Sequence, residues 1–175
     1  GGKDLEEWNR VALDEAMGRG TDDAGLHVLA AELAGLRGDR DAARQQAARA
    51  QALRPQGSFA LSAQWALAEV RPPVATMRAK AESLRAGLHD GSDPFDGIDA
   101  ALLLDTAGDR EAAIATLFDA VAMGYRDAAY LRTTPLLAHL RGSPRFAEVT
   151  AAIDTAIARE RDAVRARGLE VKAAP

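Results

Sequence analysis

Gly108-Asp109-Arg110-Glu111-Ala112-Ala113 is nearly a copy of Gly38-Asp39-Arg40-Asp41-Ala42-Ala43. Each copy stands between two Ala/Leu-rich segments whose apolar residues recur three and four apart, the spacing of an amphipathic helix. A glycine stops a helix by entering left-handed backbone, and an aspartate then caps the next one. Each copy therefore predicts a tight turn between two helices. A turn of this kind that recurs along a chain marks an array of stacked helical hairpins.

The composition agrees. Hydrophobic residues make up 47% of the 175-residue chain, only 5% are aromatic, and alanine dominates. Alanine is the best helix former, and the β-branched runs that build strands are scarce. The expected class is all-α. The net charge is -4, with Lys and Arg interleaved among Asp and Glu, as in Arg159-Glu160-Arg161-Asp162. That pattern is a solvated mixed face rather than a phosphate-binding stripe, so direct nucleic-acid binding is not expected. No apolar run approaches the ~20 residues a spanning helix needs, so no membrane insertion is expected. Cysteine is absent, which excludes disulfides, thiolate metal sites and cysteine nucleophiles. The chain starts Gly1-Gly2 without a methionine, which reads as a processed or artificial end with an upstream segment expected.

Taken in order, residues 1–20 read as an N-terminal helix anchored by Leu5, Trp8, Ala12 and Ala16. Thr21-Asp22-Asp23 caps a helix over 22–37, Gly38-Asp39 turns, and a second helix follows to about 53, closed by Pro55. Ser58 to Val70 and Val74 to about Leu88 read as the next pair, with Pro72-Pro73 in place of the Gly-Asp turn. Asp93-Pro94 starts a helix that runs to about Ala107, and its partner runs from Arg110 to Met123. A short helix after Gly124 precedes Thr134-Pro135-Leu136-Leu137, and Ser143-Pro144 starts a last helix to about Arg167. Phe146, Val149, Ile153, Ile157 and Val164 form one stripe on it, suited to closing the end of the array. Residues 168–175 read as a frayed tail.

Ala30, Ala31, Ala34, Gly38, Ala43, Ala47, Ala50 and Pro55 fall in the order and spacing of a tetratricopeptide repeat, and Ala101, Leu104, Gly108, Ala113, Leu117 and Ala120 repeat that pattern. The chain thus resembles this family, departing from it at Ala47, where the family prefers an aromatic. The stretch from Thr134 to Phe146 resembles a capping tail that follows such repeats in bacterial regulators, kinases and nucleotide cyclases. The resemblance implies an all-α helical-hairpin solenoid of about three repeats (21–56, 57–90, 91–125), with capping helices over 126–167, all in one domain.

Candidate chemistry is thin. His27, His89 and His139 are far apart, and no H-E-x-x-H occurs. Asp90, Asp93, Asp96 and Asp99 are spaced by three, but a calcium loop needs carboxylates two apart and a glutamate twelfth, where Ala101 stands. These aspartates read as caps and helix-start charges. No nucleophile elbow, phosphate loop or dinucleotide fingerprint is present. No catalytic residue, metal or cofactor is expected, and the chain is not expected to be an enzyme.

What remains is binding. In the family it resembles, the first helix of each pair lines a concave groove. That implies groove positions Val28, Glu32 and Leu36, then Phe59, Ser62 and Glu69, then Phe95, Ile98, Leu102 and Asp105. The three acids among them predict an apolar or basic partner segment rather than an acidic one. The expected function is a non-enzymatic protein–protein interaction module that holds a peptide or partner helix. Two alternatives stand beside it: a sensor or regulatory domain of a larger bacterial signalling protein, with an extracytoplasmic setting favoured over a cytoplasmic one, and a structural homodimer or larger homo-oligomer formed through the last helix.

Overall fold

The structure is a computed structural model and describes residues 23–55, 57–91 and 93–167. Its elements, in chain order, are α1 (Ala24–Leu36), α2 (Arg40–Leu53), α3 (Ser58–Leu67), α4 (Val74–His89), α5 (Phe95–Thr106), α6 (Arg110–Ala122), α7 (Ala128–Thr133), a 3-10 turn (Pro135–Leu137) and α8 (Pro144–Ala166). Among the described residues there is no strand. The helix expected over 1–20, with Trp8, and the tail 168–175 lie outside the described residues.

The two copied stretches fold alike. Gly38 has φ 77° and Gly108 φ 85°, the left-handed region that favours glycine. After Gly38, the Asp39 N–H donates to Ala34 O at 3.0 Å; after Gly108, the Asp109 N–H donates to Leu104 O at 2.9 Å. The glycine N–H groups donate to Gly35 O and Asp105 O. This double bond pattern satisfies carbonyls that the helix end would leave orphaned. Each aspartate then caps the helix that follows. Asp39 accepts from the Ala42 N–H at 3.0 Å, and Asp109 accepts from the Ala112 N–H at 3.2 Å. The result is two hairpins, α1/α2 and α5/α6.

The middle pair departs from expectation. α3 ends at Leu67 because Ala68 turns extended (ψ 141°), and Pro73 is extended as well. Prolines disfavour helical backbone in the residue before them, which keeps Arg71 and Pro72 out of a helix. The link over 68–73 therefore carries the chain away instead of turning it back. α3 and α4 barely touch each other, and each packs on α5. Pro72-Pro73 is thus a spacer rather than a substitute for the Gly-Asp turn.

α5 is the centre of the molecule. It meets α3, α4, α6 and the 3-10 turn, and every residue from Gly97 to Leu104 is buried. Gly97 lets α6 approach closely, since a Cβ there would stand 2.7 Å from the Ala120 Cβ. Around it lies one apolar cluster that reaches from Val28 to Ile153. Each large aliphatic side chain fully buried there contributes ~1.5–3 kcal/mol. By contrast, α2 buries only Ala43, Ala47 and Ala50. α8 buries Phe146, Val149 and Ile153, then runs out into solvent, with residues 158–167 all exposed. The apolar stripe expected to reach Val164 therefore serves as a lid only over its first half.

Candidate functional site

The face shared by α1, α3 and α5 carries most of the expected groove positions, and residues of the chain's own tail pack against part of it. Val28, Ile98 and Leu102 are core. Phe59 and Phe95 pack edge to face with ring centroids 5.1 Å apart, and Phe95 also meets the rings of Tyr125 at 5.9 Å and Tyr130 at 5.6 Å. Both tyrosines come from the segment after Gly124. The 3-10 turn that follows them touches α1 and α5. Of the positions that the spacing implied for a groove, Val28, Glu32, Ser62, Ile98 and Leu102 are buried, and Phe59 and Phe95 are half-buried.

Glu32 is the latch. It is buried, and its Oε1 accepts from the Tyr130 hydroxyl at 2.8 Å and from the Thr134 hydroxyl at 2.9 Å. Thr134 also caps the 3-10 turn, accepting from the Leu136 N–H at 3.3 Å. One short stretch thus shapes the tail and ties it to α1. Burial pushes the Glu32 carboxyl above the usual range, and the two hydroxyl donors pull it partly back.

A second buried acid escaped the sequence. Asp99, expected to be a helix-start charge, is 2% exposed. Its Oδ1 accepts from the Ser62 hydroxyl at 2.7 Å, and its Oδ2 has no partner. Beside it, Ser58 donates to Asp96 at 2.8 Å. Burial raises the Asp99 carboxyl to about 7, with the serine hydrogen bonds acting against the shift. A signal was present, because Asp99 lies on the stripe Phe95, Ile98, Asp99, Leu102, and Ser58 and Ser62 are one turn apart on α3.

Among the described residues, a cleft stays open at the other end of these helices. This cleft, of about 1360 Å³, is bounded by the last residues of α1, the first turns of α2 and α6, the link after α3 and the 3-10 turn. Both Gly-Asp-Arg turns end on it, through Arg40 and Arg110. Two expected groove residues line it, Glu69 and Asp105. A third, Leu36, stands beside the lining residue Gly35 and is 49% exposed. Val70, between the lining residues Glu69 and Arg71, is 88% exposed.

Asp105 forms part of the cleft wall, with its side chain only 4% exposed. The His139 Nδ1 lies 3.6 Å from its Oδ2, and the Arg110 Nε 3.9 Å from its Oδ1. Burial raises its carboxyl, opposed by His139, Arg110 and Arg71. The cleft's other acids are also engaged. Asp109 pairs with Arg78 at 3.4 Å, Glu111 with Arg145 at 2.5 Å and Glu69 with Arg44 at 3.9 Å. Arg44 also bonds Asp41. Among the described residues, no group of three His, Asp or Glu side chains could hold a metal ion, and no helix is long and apolar enough to cross a membrane.

No protein-family model, no curated protein and no solved structure matches the chain.

Proposed function

We propose that the chain is a non-catalytic protein–protein interaction module, built as a tetratricopeptide-like stack of helical hairpins, and that a segment of its partner enters the cleft at the Gly-Asp turns. The two identically built turns support the repeat reading, as does the succession in which α1 meets α3, α3 meets α5, and α2 and α4 each meet the next helix of that row. The α3/α4 link is the departure from that pattern. One observation carries the site. The shared helix face packs against the chain's own Tyr125 and Tyr130, while the cleft beside it is open and lined by both charged side chains and the apolar Leu67, Pro135 and Leu136. Recognition clefts combine placed polar groups with apolar contact in this way.

A photoreactive residue at Ala68, in the cleft wall, is expected to capture a partner that the same residue at exposed Ser83 on α4 does not. Filling the cleft with Ala68→Trp is expected to abolish binding of that partner while helicity by circular dichroism is kept. Equal capture from both positions, or binding that survives Ala68→Trp, would place the interaction elsewhere.

A further inference from the structure

We infer that the segment the cleft accepts is acidic, a stretch of a partner protein carrying Asp or Glu together with an apolar side chain. This rests on the cleft being the binding site, and it reverses the charge that the sequence predicts. The expectation of a basic partner came from Glu32, Glu69 and Asp105. Glu32 lies under Tyr130 and Thr134, out of a ligand's reach. Asp105 is held between Arg110 and His139, and Glu69 lies near Arg44. Asp109 and Glu111 are drawn to Arg78 and Arg145, neither of which lines the cleft.

Once these pairs are made, the surplus is positive. Arg40 and Arg71 both line the cleft; Arg40 forms no ion pair with a described residue, and Arg71 is the weakest of the three cations that act on Asp105, behind His139 and Arg110. They come from two separate elements, the start of α2 and the link before α4. Arg40 is also placed against local preference, because a cation in the first turn of a helix opposes the helix dipole. The equivalent Arg110 in the other copied turn has Asp105 within 3.9 Å; Arg40 has no such carboxylate. A guanidinium presents a planar fork of donors that matches a carboxylate. Leu67, Pro135 and Leu136, which line the same cleft, supply apolar contact for a neighbouring side chain. The net charge of -4 disfavours nucleic acid as the source of the anion.

The test uses three fluorescent peptides of equal length, alternating Glu with Leu, Gln with Leu and Lys with Leu, titrated into the full chain. The Glu/Leu peptide is expected to bind at least ~10-fold more tightly than the other two, which corresponds to ~1.4 kcal/mol, and to weaken as salt rises. The double variant Arg40→Ala, Arg71→Ala is expected to lose ~10-fold or more of that affinity with its helical circular dichroism unchanged. A Gln/Leu peptide that binds equally well, an unaffected double variant, or no Glu/Leu binding at all would overturn the proposal. So would an oligothymidylate that binds more tightly than the Glu/Leu peptide. A Lys/Leu peptide that binds and is blocked by Ala68→Trp would remove the acidic ligand but keep the cleft. Glu/Leu binding that survives Ala68→Trp would remove the cleft itself.

Discussion

Glu32 and Asp105 lie on the first and last helices of one row, and the structure uses them in opposite ways. Both carboxyls are buried, and burial raises both. Glu32 is satisfied by neutral hydroxyls from the tail, and the pair of hydrogen bonds seals one end of the helix face. Asp105 is faced by an arginine and a histidine on the walls of a cleft that stays open. Glu32 lies a turn inside the end of α1 and Asp105 next to the end of α5, and the tail brings different groups to each. Tyr130 and Thr134 reach Glu32, whereas only the exposed ring of His139 reaches Asp105.

Substitutions can break this contrast, because the sealed end should hold stability and the open end should not. The largest effect is expected at the seal's apolar base. Leu131→Ala or Leu137→Ala, both fully buried, should cost ~2–5 kcal/mol in urea unfolding, whereas Thr106→Ala in the cleft wall should cost far less. Similar costs at both ends would erase the distinction. Next, Gly97→Ala should cost ~1–3 kcal/mol by forcing α5 away from Ala120; a neutral result would mean the two helices are not in close contact. Tyr130→Phe, which removes one of the two Glu32 donors, should cost ~1–3 kcal/mol. A loss no larger than that of an exposed-site substitution would show that the latch is idle.

The buried acids set a pH dependence. Asp99 has a folded-state pKa raised to about 7, while the unfolded chain titrates near ~3.9. Below that lower value both states are protonated and the group costs nothing. As pH rises towards 7 the unfolded state loses the proton first, so stability falls, at up to ~1.4 kcal/mol per pH unit. Glu32, also raised, acts in the same direction. Asp99→Asn should flatten this decline in urea unfolding measured across the interval. A wild-type profile that rises over the same interval would contradict the burial of both acids. The smallest effect is expected in the cleft, where Arg71→Ala should stay within ~0.5 kcal/mol of wild type and Arg40→Ala should gain ~0.3–1 kcal/mol by relieving the helix dipole.

Local features were legible in the sequence. Alanine-rich spacing predicts the helices, and the Gly38-Asp39 and Gly108-Asp109 turns form as their residue types require, with left-handed glycine and capping aspartate. Pro144 starts α8. α5 begins at Phe95, one residue after the expected start, with Asp93 still accepting from the Phe95 N–H at 2.9 Å. What escaped is non-local. No spacing rule reports that Tyr130 and Thr134 meet Glu32 about a hundred positions away, because a single hydrogen bond between distant segments leaves no period in the sequence. Helix face alone picks out the groove positions, and it cannot tell a face open to a partner from one that the tail packs against. The charge of Asp99 argues for the surface, whereas its place on the apolar stripe puts it inside. The α3/α4 separation depends on how far two prolines extend a link, and the same dipeptide in a tighter setting starts a helix.

The seating of the tail on α1 is the premise for locating function in the cleft, and a cysteine pair tests it directly. A Cβ at Gly35 would lie 3.9 Å from that of Pro135, within the ~3.5–4.5 Å that a disulfide needs. The chain has no cysteine of its own to interfere. Gly35→Cys with Pro135→Cys, oxidised under native conditions, should form the bridge near completion and raise the melting temperature by closing a loop of ~100 residues. Two thiols that remain free to alkylation in the folded protein would mean that the tail does not rest on α1 and that the helix face is open after all.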